Sequence, residues 1–202
     1  MPQPTLREIF GPSRDEIWRQ LASEIDANYV EGGFWKRDKV QASHAGWLIT
    51  LEKHGKEPAR MRAPFLNPGG FRFTVYRKGI FTELGKYMGM QDVEVGHPDF
   101  DRDFVIKGTD ETKLRQIFGN ARIRELIVAQ PRIHFEVKDG NGIFERGLFG
   151  EKPPEHLDIL EFEVDSRPEI KDKERLRLLF DLFAETLDEL CRMGTARSAQ
   201  VK

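Results

Sequence analysis

The chain has 202 residues, of which 39% are hydrophobic and 33% charged, and its 32 basic and 34 acidic residues leave a net charge of −2. This balance excludes a general electrostatic attraction to nucleic acid or to an anionic membrane, so nucleic acid is not an expected partner. The single cysteine, Cys191, excludes an internal disulfide and a thiolate metal cluster.

The chain also lacks the patterns of membrane insertion and export. No apolar stretch approaches the ~20 residues that a membrane-spanning helix needs. The first residues show no basic stretch followed by an apolar run, which is the pattern of a signal peptide. We therefore expect a soluble, cytoplasmic protein without a membrane span.

The first half of the chain predicts one helix followed by an antiparallel sheet. Ser13 and Glu16 have the spacing of a capping box, and apolar residues at helical spacing continue the helix to about residue 28. Strands are predicted over residues 34–42, 46–53, 59–65 and 71–77. Short turns between consecutive strands favour a four-stranded meander. Pro64 places the end of the third strand at a sheet edge.

The second half predicts helices and strands in mixed order. The expected elements are a helix at 80–88, a strand at 104–107, helices at 110–118 and 120–129, a β-hairpin at 132–149, a strand at 156–164 and a long amphipathic helix at 169–192. Thr109 or Asp110 caps the first helix of the pair, and Asn120 caps the second. The tail at 195–202 is polar and is expected to fray.

This order of elements predicts an α+β protein made of two antiparallel sheet-plus-helix units, the second ending in the long amphipathic helix. The first unit is expected at 1–95, as a helix plus a β-meander. The second is expected at 96–194, with a strand, two helices, a hairpin, a strand and a helix. Residues 195–202 form the tail. The two units could also pack as one domain.

An acidic strip at residues 97–103 is the most suggestive pattern. His97 is followed by Asp99, Asp101 and Asp103, and alternate carboxylates on an extended segment would supply several oxygens to a hard cation. However, Phe104 stands where a calcium loop of the helix–loop–helix kind needs glycine. The favoured interpretation is a turn that enters a strand, with its phenylalanines in the core and its acids in solvent. No metal site is predicted.

A second pattern combines basic and aromatic residues in the first sheet. Its members are Arg60, Arg62, Arg72, Arg77, Trp47 and Tyr76. Such a surface could bind an anion or a single-stranded nucleic acid by charge and stacking. The favoured alternative is a solvated sheet face whose long side chains cover apolar surface.

Other catalytic signatures are missing from the sequence. The glycines follow none of the GxGxxG, GxxxxGK[ST] or GxSxG patterns, and the five histidines form no short-spaced pair. Cys191 lies late on the last amphipathic helix, where a partly buried, unreactive thiol is expected. No cofactor is predicted.

Residues 97–190 resemble a family of uncharacterised bacterial domains, the DUF3137-like proteins. The resemblance rests on the segment from His97 to Lys107, on Asp110 with the helical stretch to Phe118, and on residues 123–126. The closing hairpin, strand and terminal helix are also similar. Members of that family often carry membrane segments before this domain. The resemblance implies no known reaction, cofactor or catalytic residue.

Three functional hypotheses follow. The leading one is a non-enzymatic binding or protein-interaction module with an unknown protein or small-molecule partner. The first alternative is a hydrolase-type enzyme with a dispersed site of His97, Asp99, Asp101 and Asp103, supported by Arg62. The second alternative is anion or single-stranded nucleic-acid binding on the N-terminal sheet. The sequence fixes neither the partner nor the oligomeric state.

Overall fold

A computed structural model describes residues 11–32, 37–53, 57–79, 90–140, 154–164 and 169–199. Within these ranges the protein is a mixed α/β structure dominated by an antiparallel sheet of ten strands. The strands are β1 (Asn28–Val30), β2 (Asp38–His44), β3 (Trp47–Lys53), β4 (Ala59–Leu66), β5 (Phe73–Arg77), β6 (Gln91–Asp92), β7 (Phe104–Gly108), β8 (His134–Asp139), β9 (Leu157–Val164) and β10 (Arg197–Ser198). The helices are α1 (Arg14–Glu24), α2 (Pro98–Asp103), α3 (Glu111–Gly119), α4 (Ala121–Val128) and α5 (Lys173–Arg192).

The predicted helix starts are confirmed by capping hydrogen bonds. The Ser13 hydroxyl accepts from the Glu16 amide, and the Glu16 carboxylate accepts from the Ser13 amide, which completes the capping box of α1. Asp110 caps α3 and Asn120 caps α4. The long helix α5 is capped by Asp172 and follows a short 3₁₀ turn, so it begins four residues later than predicted.

The strand order differs from the predicted meander. Across the sheet the order is β1-β2-β3-β4-β9-β8-β5-β7-β6, and β10 also pairs with β4. The first three predicted strands are neighbours as expected, but β9 and β8 lie between β4 and β5. The reason is that β4 pairs with β9 along its whole length, from Ala59 opposite Val164 to Leu66 opposite Leu157. The fourth strand of the predicted meander was therefore misplaced.

Pro64 lies in the interior of this sheet, not at its edge. It is opposite Ile159 on β9. On the other side of β4, the pairing with β3 covers residues 60–62 and the pairing with β10 covers 65–66. Proline, which has no amide hydrogen to donate, thus falls in the interval between these two pairings.

The main hydrophobic core lies on the helix-bearing face of the sheet. One row of paired residues on this face runs Val40, Leu51, Met61, Phe162, Phe135, Val75 and Ile106. All seven are buried, and the apolar sides of α1, α3, α4 and α5 pack against them. The strong amphipathicity predicted for α5 is confirmed, since Leu176, Phe183 and Leu187 are completely covered.

The two-unit division is not confirmed, because strands from both predicted units alternate in this sheet. The tail is also more ordered than expected. Arg197 and Ser198 form β10 against the end of β4, and Thr195, Ala196 and Ala199 are buried. The predicted helix at 80–88 and the second strand of the predicted hairpin fall outside the described residues.

Candidate functional site

The face of the sheet opposite the main core carries a row of charged side chains. Strand register aligns Arg62 on β4, Glu161 on β9 and Glu136 on β8 directly opposite one another. Glu52 on β3 and Lys138 on β8 lie diagonally beside them. We call these five residues the ionic row. Because alternate residues of a strand face opposite sides, the residues next to them, such as Met61 and Phe162, point into the core.

The members of the ionic row form ion pairs with one another. The Arg62 guanidinium donates to Glu161 Oε2 at 2.5 Å and to Glu52 Oε1 at 2.7 Å. Lys138 Nζ bonds Glu161 Oε1 and lies 3.6 Å from Glu136 Oε1. The Arg62 and Glu161 side chains are 8% and 6% exposed, so these pairs are largely removed from water. Such a network holds the strands in one register, and its charged groups are already paired with one another.

The electrostatics of Glu161 reflect this environment. Burial by itself acts to raise the pKa of the Glu161 carboxyl. The hydrogen bond from Lys138 and the charge and hydrogen bond of Arg62 outweigh that effect, so the pKa lies below its ordinary value. Glu161 is therefore held ionised as a structural carboxylate.

The structure does not bring the six predicted ligand-binding residues together. Arg60 and Arg62 share one face of β4, where Arg60 forms an ion pair with Glu163 at 3.5 Å. Tyr76 on β5 lies opposite His134 on β8. Trp47 is buried in the main core on the opposite side of the sheet.

The remaining two predicted residues contact other parts of the molecule. Arg72 donates to the buried Asp158 at 3.1 Å. Burial by itself lowers the pKa of Arg72, but the hydrogen bonds and charges of Asp158 and Asp139 raise it above its ordinary value. Arg77 stacks over the Phe104 ring at 4.6 Å and donates to the carbonyl of Val128 at the end of α4. Each of these arginines joins two elements of the fold.

The acidic strip forms a short helix that enters strand β7, where the sequence predicted a turn that enters a strand, and it lacks the extended conformation that the cation hypothesis requires. Residues 98–103 form α2, with proline in the first turn, where its missing amide hydrogen is harmless. Asp101 accepts hydrogen bonds from three consecutive backbone amides, those of Val95, Gly96 and His97, at 2.9–3.0 Å. Asp101 therefore organises the preceding loop instead of merely facing water.

The other acids of the strip pair with an arginine. Asp99 and Asp103 both bond Arg102, and the Arg102 hydrogen bond holds the pKa of Asp103 below its ordinary value. The predicted anchoring by aromatic rings is confirmed, since Phe100 and Phe104 are buried and stack at 4.6 Å. In the described parts of the chain, no three metal-ligating side chains are grouped to hold an ion. Cys191 is exposed, contrary to the expectation of a partly buried thiol.

A cleft that the sequence did not indicate opens where β9 meets the start of α5. It is shallow, with an enclosed space of about 10 Å³, enough for about one water molecule. Its lining includes four apolar side chains, Phe162, Val164, Leu176 and Leu179. The other lining residues are Gln130, Pro131, Arg132 and Arg175. We call this the end cleft. Among the described residues of the lining, the two ionisable side chains are arginines.

Gln130 is the unusual residue of the end cleft. It is 2% exposed, and its side-chain nitrogen Nε2 has no hydrogen-bond partner. The backbone holds it in place: its amide donates to the Ile127 carbonyl at 3.0 Å, and its carbonyl accepts from Arg77 at 3.3 Å. A buried amide donor without a partner costs free energy, so an acceptor at this position, from a water molecule or a ligand, would be stabilising. In the sequence, a glutamine that follows a helix does not indicate a binding residue.

Comparisons with known proteins provide little further guidance. No protein-family model matches the chain, and no curated protein matches it either. A solved structure with a related arrangement is the mycobacterial trehalose monomycolate transport factor A, TtfA. It is 11% identical, with a TM-score of 0.47, and the match covers 85% of this chain and 95% of that one. This likeness carries no argument about activity. No helix among the described residues has the length and apolarity needed to cross a membrane.

Proposed function

We propose that this chain is a non-enzymatic binding protein that receives a small, partly apolar group of its ligand at the end cleft. The observation that carries the proposal is the buried, unpartnered Nε2 of Gln130 beside an apolar lining. A ligand with a hydrogen-bond acceptor would satisfy this donor while its apolar part covers Phe162, Val164, Leu176 and Leu179.

The contacts of the charged residues support this choice over the two alternatives from the sequence. Arg62 already binds two carboxylates, and Trp47 lies on the other face of the sheet, so the predicted anion surface is dispersed. In the acidic strip, Asp101 is engaged by backbone amides and Asp99 by Arg102. The hydrolase-type and nucleic-acid hypotheses, the DUF3137-like resemblance and the cytoplasmic location stay predictions.

Binding is tested with the full chain and a panel of short alkyl probes that share one tail. Hexanol, hexanamide, hexylamine and hexanoate are titrated while methyl NMR signals of the protein are followed. We expect at least one probe to shift the methyl signals of Val164, Leu176 and Leu179, with weak affinity suited to so few atoms. If none of the four probes shifts them, the proposal is wrong.

The variant Gln130→Leu separates a binding role from a structural one. Leucine removes the unpartnered donor at similar volume, so the ligand-free variant should be more stable by about 1–2 kcal/mol. It should also bind the responsive probe about tenfold more weakly. Gln20→Leu, at an exposed position of α1, makes the same replacement and should change neither quantity. A marked loss of stability in Gln130→Leu would mean that a bound water already satisfies the amide, and would contradict the proposal.

A further inference from the structure

We propose that residues 195–199 form a detachable strap, which closes over a gap between strands β3 and β4 and opens while the rest of the sheet stays folded. The strap includes β10 and the buried residues on either side of it. Its opening uncovers part of the main core and the edge of β4 at Phe65 and Leu66. None of the described residues that line the end cleft belongs to the strap.

Strands β3 and β4 separate part of the way along β4. Their pairing covers residues 60–62 of β4, and β10 pairs with the same side of β4 at residues 65–66. Pro64 lies between the two pairings and has no amide hydrogen to donate. On its other side, β4 pairs with β9 along its whole length, so β4 remains in the sheet when β10 leaves. The strap therefore closes a gap without being needed to hold β4.

The strap is packed against the core when it is closed. Ala196 is 2% exposed and belongs to the main core, and Thr195 and Ala199 are also buried. The amides of Thr195 and Ala196 both donate to the carbonyl of Leu190 in the last turn of α5, at 2.9 and 3.1 Å. Because these amides are bonded and covered, movement of the strap controls their exchange with solvent.

The pairing that holds the strap is short. β10 has two residues, whereas β4 and β9 each have eight and pair throughout. The Ser198 hydroxyl donates to the Gly46 carbonyl in the turn between β2 and β3 at 2.6 Å, at an exposed position where water competes for both groups. Gly194, just before the strap, has φ +67°, a conformation that glycine adopts without strain. The chain can therefore change direction there.

Closure of the strap also leaves a polar group unsatisfied. Thr195 is 4% exposed, and its hydroxyl has no hydrogen-bond partner among the described residues. Water can bond this hydroxyl when the strap is open, so its burial favours opening. A short pairing and an unsatisfied hydroxyl together make opening of the strap require less free energy than unfolding of the sheet.

Amide hydrogen exchange of the full chain, followed by NMR at increasing urea concentrations, measures the opening. We expect the Thr195 and Ala196 amides to exchange at least about a hundredfold faster than the slowest amides of β4 and β9. Their exchange should depend little on urea, because local opening exposes little surface. If they exchange as slowly as the amides of β4 and β9, with the same urea dependence, the strap opens only on global unfolding and the proposal is wrong.

Matched variants test the interactions that control the strap. Thr195→Val removes the unpartnered hydroxyl and should slow the opening about fivefold. Thr186→Val removes another buried, unpartnered hydroxyl, in α5, and should leave the opening unchanged. Ser198→Ala removes the bond to Gly46 and should speed the opening about threefold, whereas Ser43→Ala, at an exposed position of β2, should not. Equal effects within either pair would contradict the proposal.

Thiol labelling provides a second measurement of the same opening. Ala196→Cys places a thiol at a core position of the strap, in a Cys191→Ser background that removes the exposed cysteine. This thiol should react at the rate that amide exchange gives for the opening. Ala63→Cys, at a fully buried position of β4, is the control and should react much more slowly. Equal reaction rates at the two positions would overturn the proposal.

Discussion

The replacement Glu161→Gln tests whether the ionic row stabilises the fold through charge. Glutamine preserves the shape of the side chain but removes its negative charge, and with it two charge-assisted contacts, from Arg62 Nε and from Lys138 Nζ. Each hydrogen bond to a charged group is worth about 1.5–3 kcal/mol. Arg62 keeps Glu52 and Lys138 keeps Glu136, so neither cation is left alone. We therefore expect a net loss of about 2–3 kcal/mol at neutral pH, below the sum of the two contacts.

The pH dependence provides the decisive measurement. The pKa of Glu161 is lowered in the folded protein relative to its ordinary value of 4.5. A lowered folded-state pKa means that the stabilisation is present above the unfolded pKa and is lost as pH falls through the folded pKa. Urea unfolding of both proteins should thus show a constant difference from neutral pH down to about pH 5, which then shrinks on further acidification.

A matched control distinguishes the buried pair from charge loss in general. Glu163→Gln changes the same strand and the same face two residues further on, where the side chain is 45% exposed and lies 3.5 Å from Arg60. An exposed pair contributes little, so this variant should lose less than about 0.5 kcal/mol. Equal losses in the two variants, or a Glu161→Gln difference that persists in acid, would refute the reasoning.

Two further pairs of substitutions test local geometry. Gly140→Ala should destabilise the protein by about 1–3 kcal/mol in urea unfolding, because its Cβ would lie 2.6 Å from the backbone oxygen of Leu157. Gly69→Ala, where the nearest atom would be 3.9 Å away, should be close to neutral, and equal effects would contradict the steric account. Asp101→Asn should lower the melting temperature in the absence of divalent ions by weakening three amide contacts, whereas Asp99→Asn at an exposed position should not. A calcium-dependent stabilisation that both variants abolish would instead support the metal interpretation of the acidic strip.

The local elements were predictable because their signals are local. The capping residues of α1, α3 and α4 interact with amides two or three positions away, so sequence spacing is enough to place those helices. In the same way, the alternation of side chains along a strand predicted that Arg62 and Met61 lie on opposite sides of β4. The helix α2 was missed although Pro98 and the acids after it are typical of a helical first turn.

The strand order was not predictable in this way. Residues 59–66 pair with residues 157–164, about a hundred positions later, and no turn or spacing rule links segments so far apart. The ion-pair partners of Arg62 were not predictable either. The alternation of side chains along a strand indicates which face of the sheet Arg62 lies on, but not that Glu52 and Glu161 meet it there. The end cleft depends on three separate segments that meet only in the folded protein, so Gln130 could not be recognised from its neighbours in sequence.

Strand β9 connects the ionic row to the end cleft. Its residue Glu161 is fixed on one face of the sheet by Arg62, and because side chains alternate, Phe162 and Val164 must then lie on the other face. On that face they meet Leu176 and Leu179 of α5 and form the apolar lining. A slip of β9 by one residue would bury Glu161 against the helices and turn Phe162 away from the cleft. The buried charges on one side of the sheet thereby help to determine which residues shape the proposed binding site on the other.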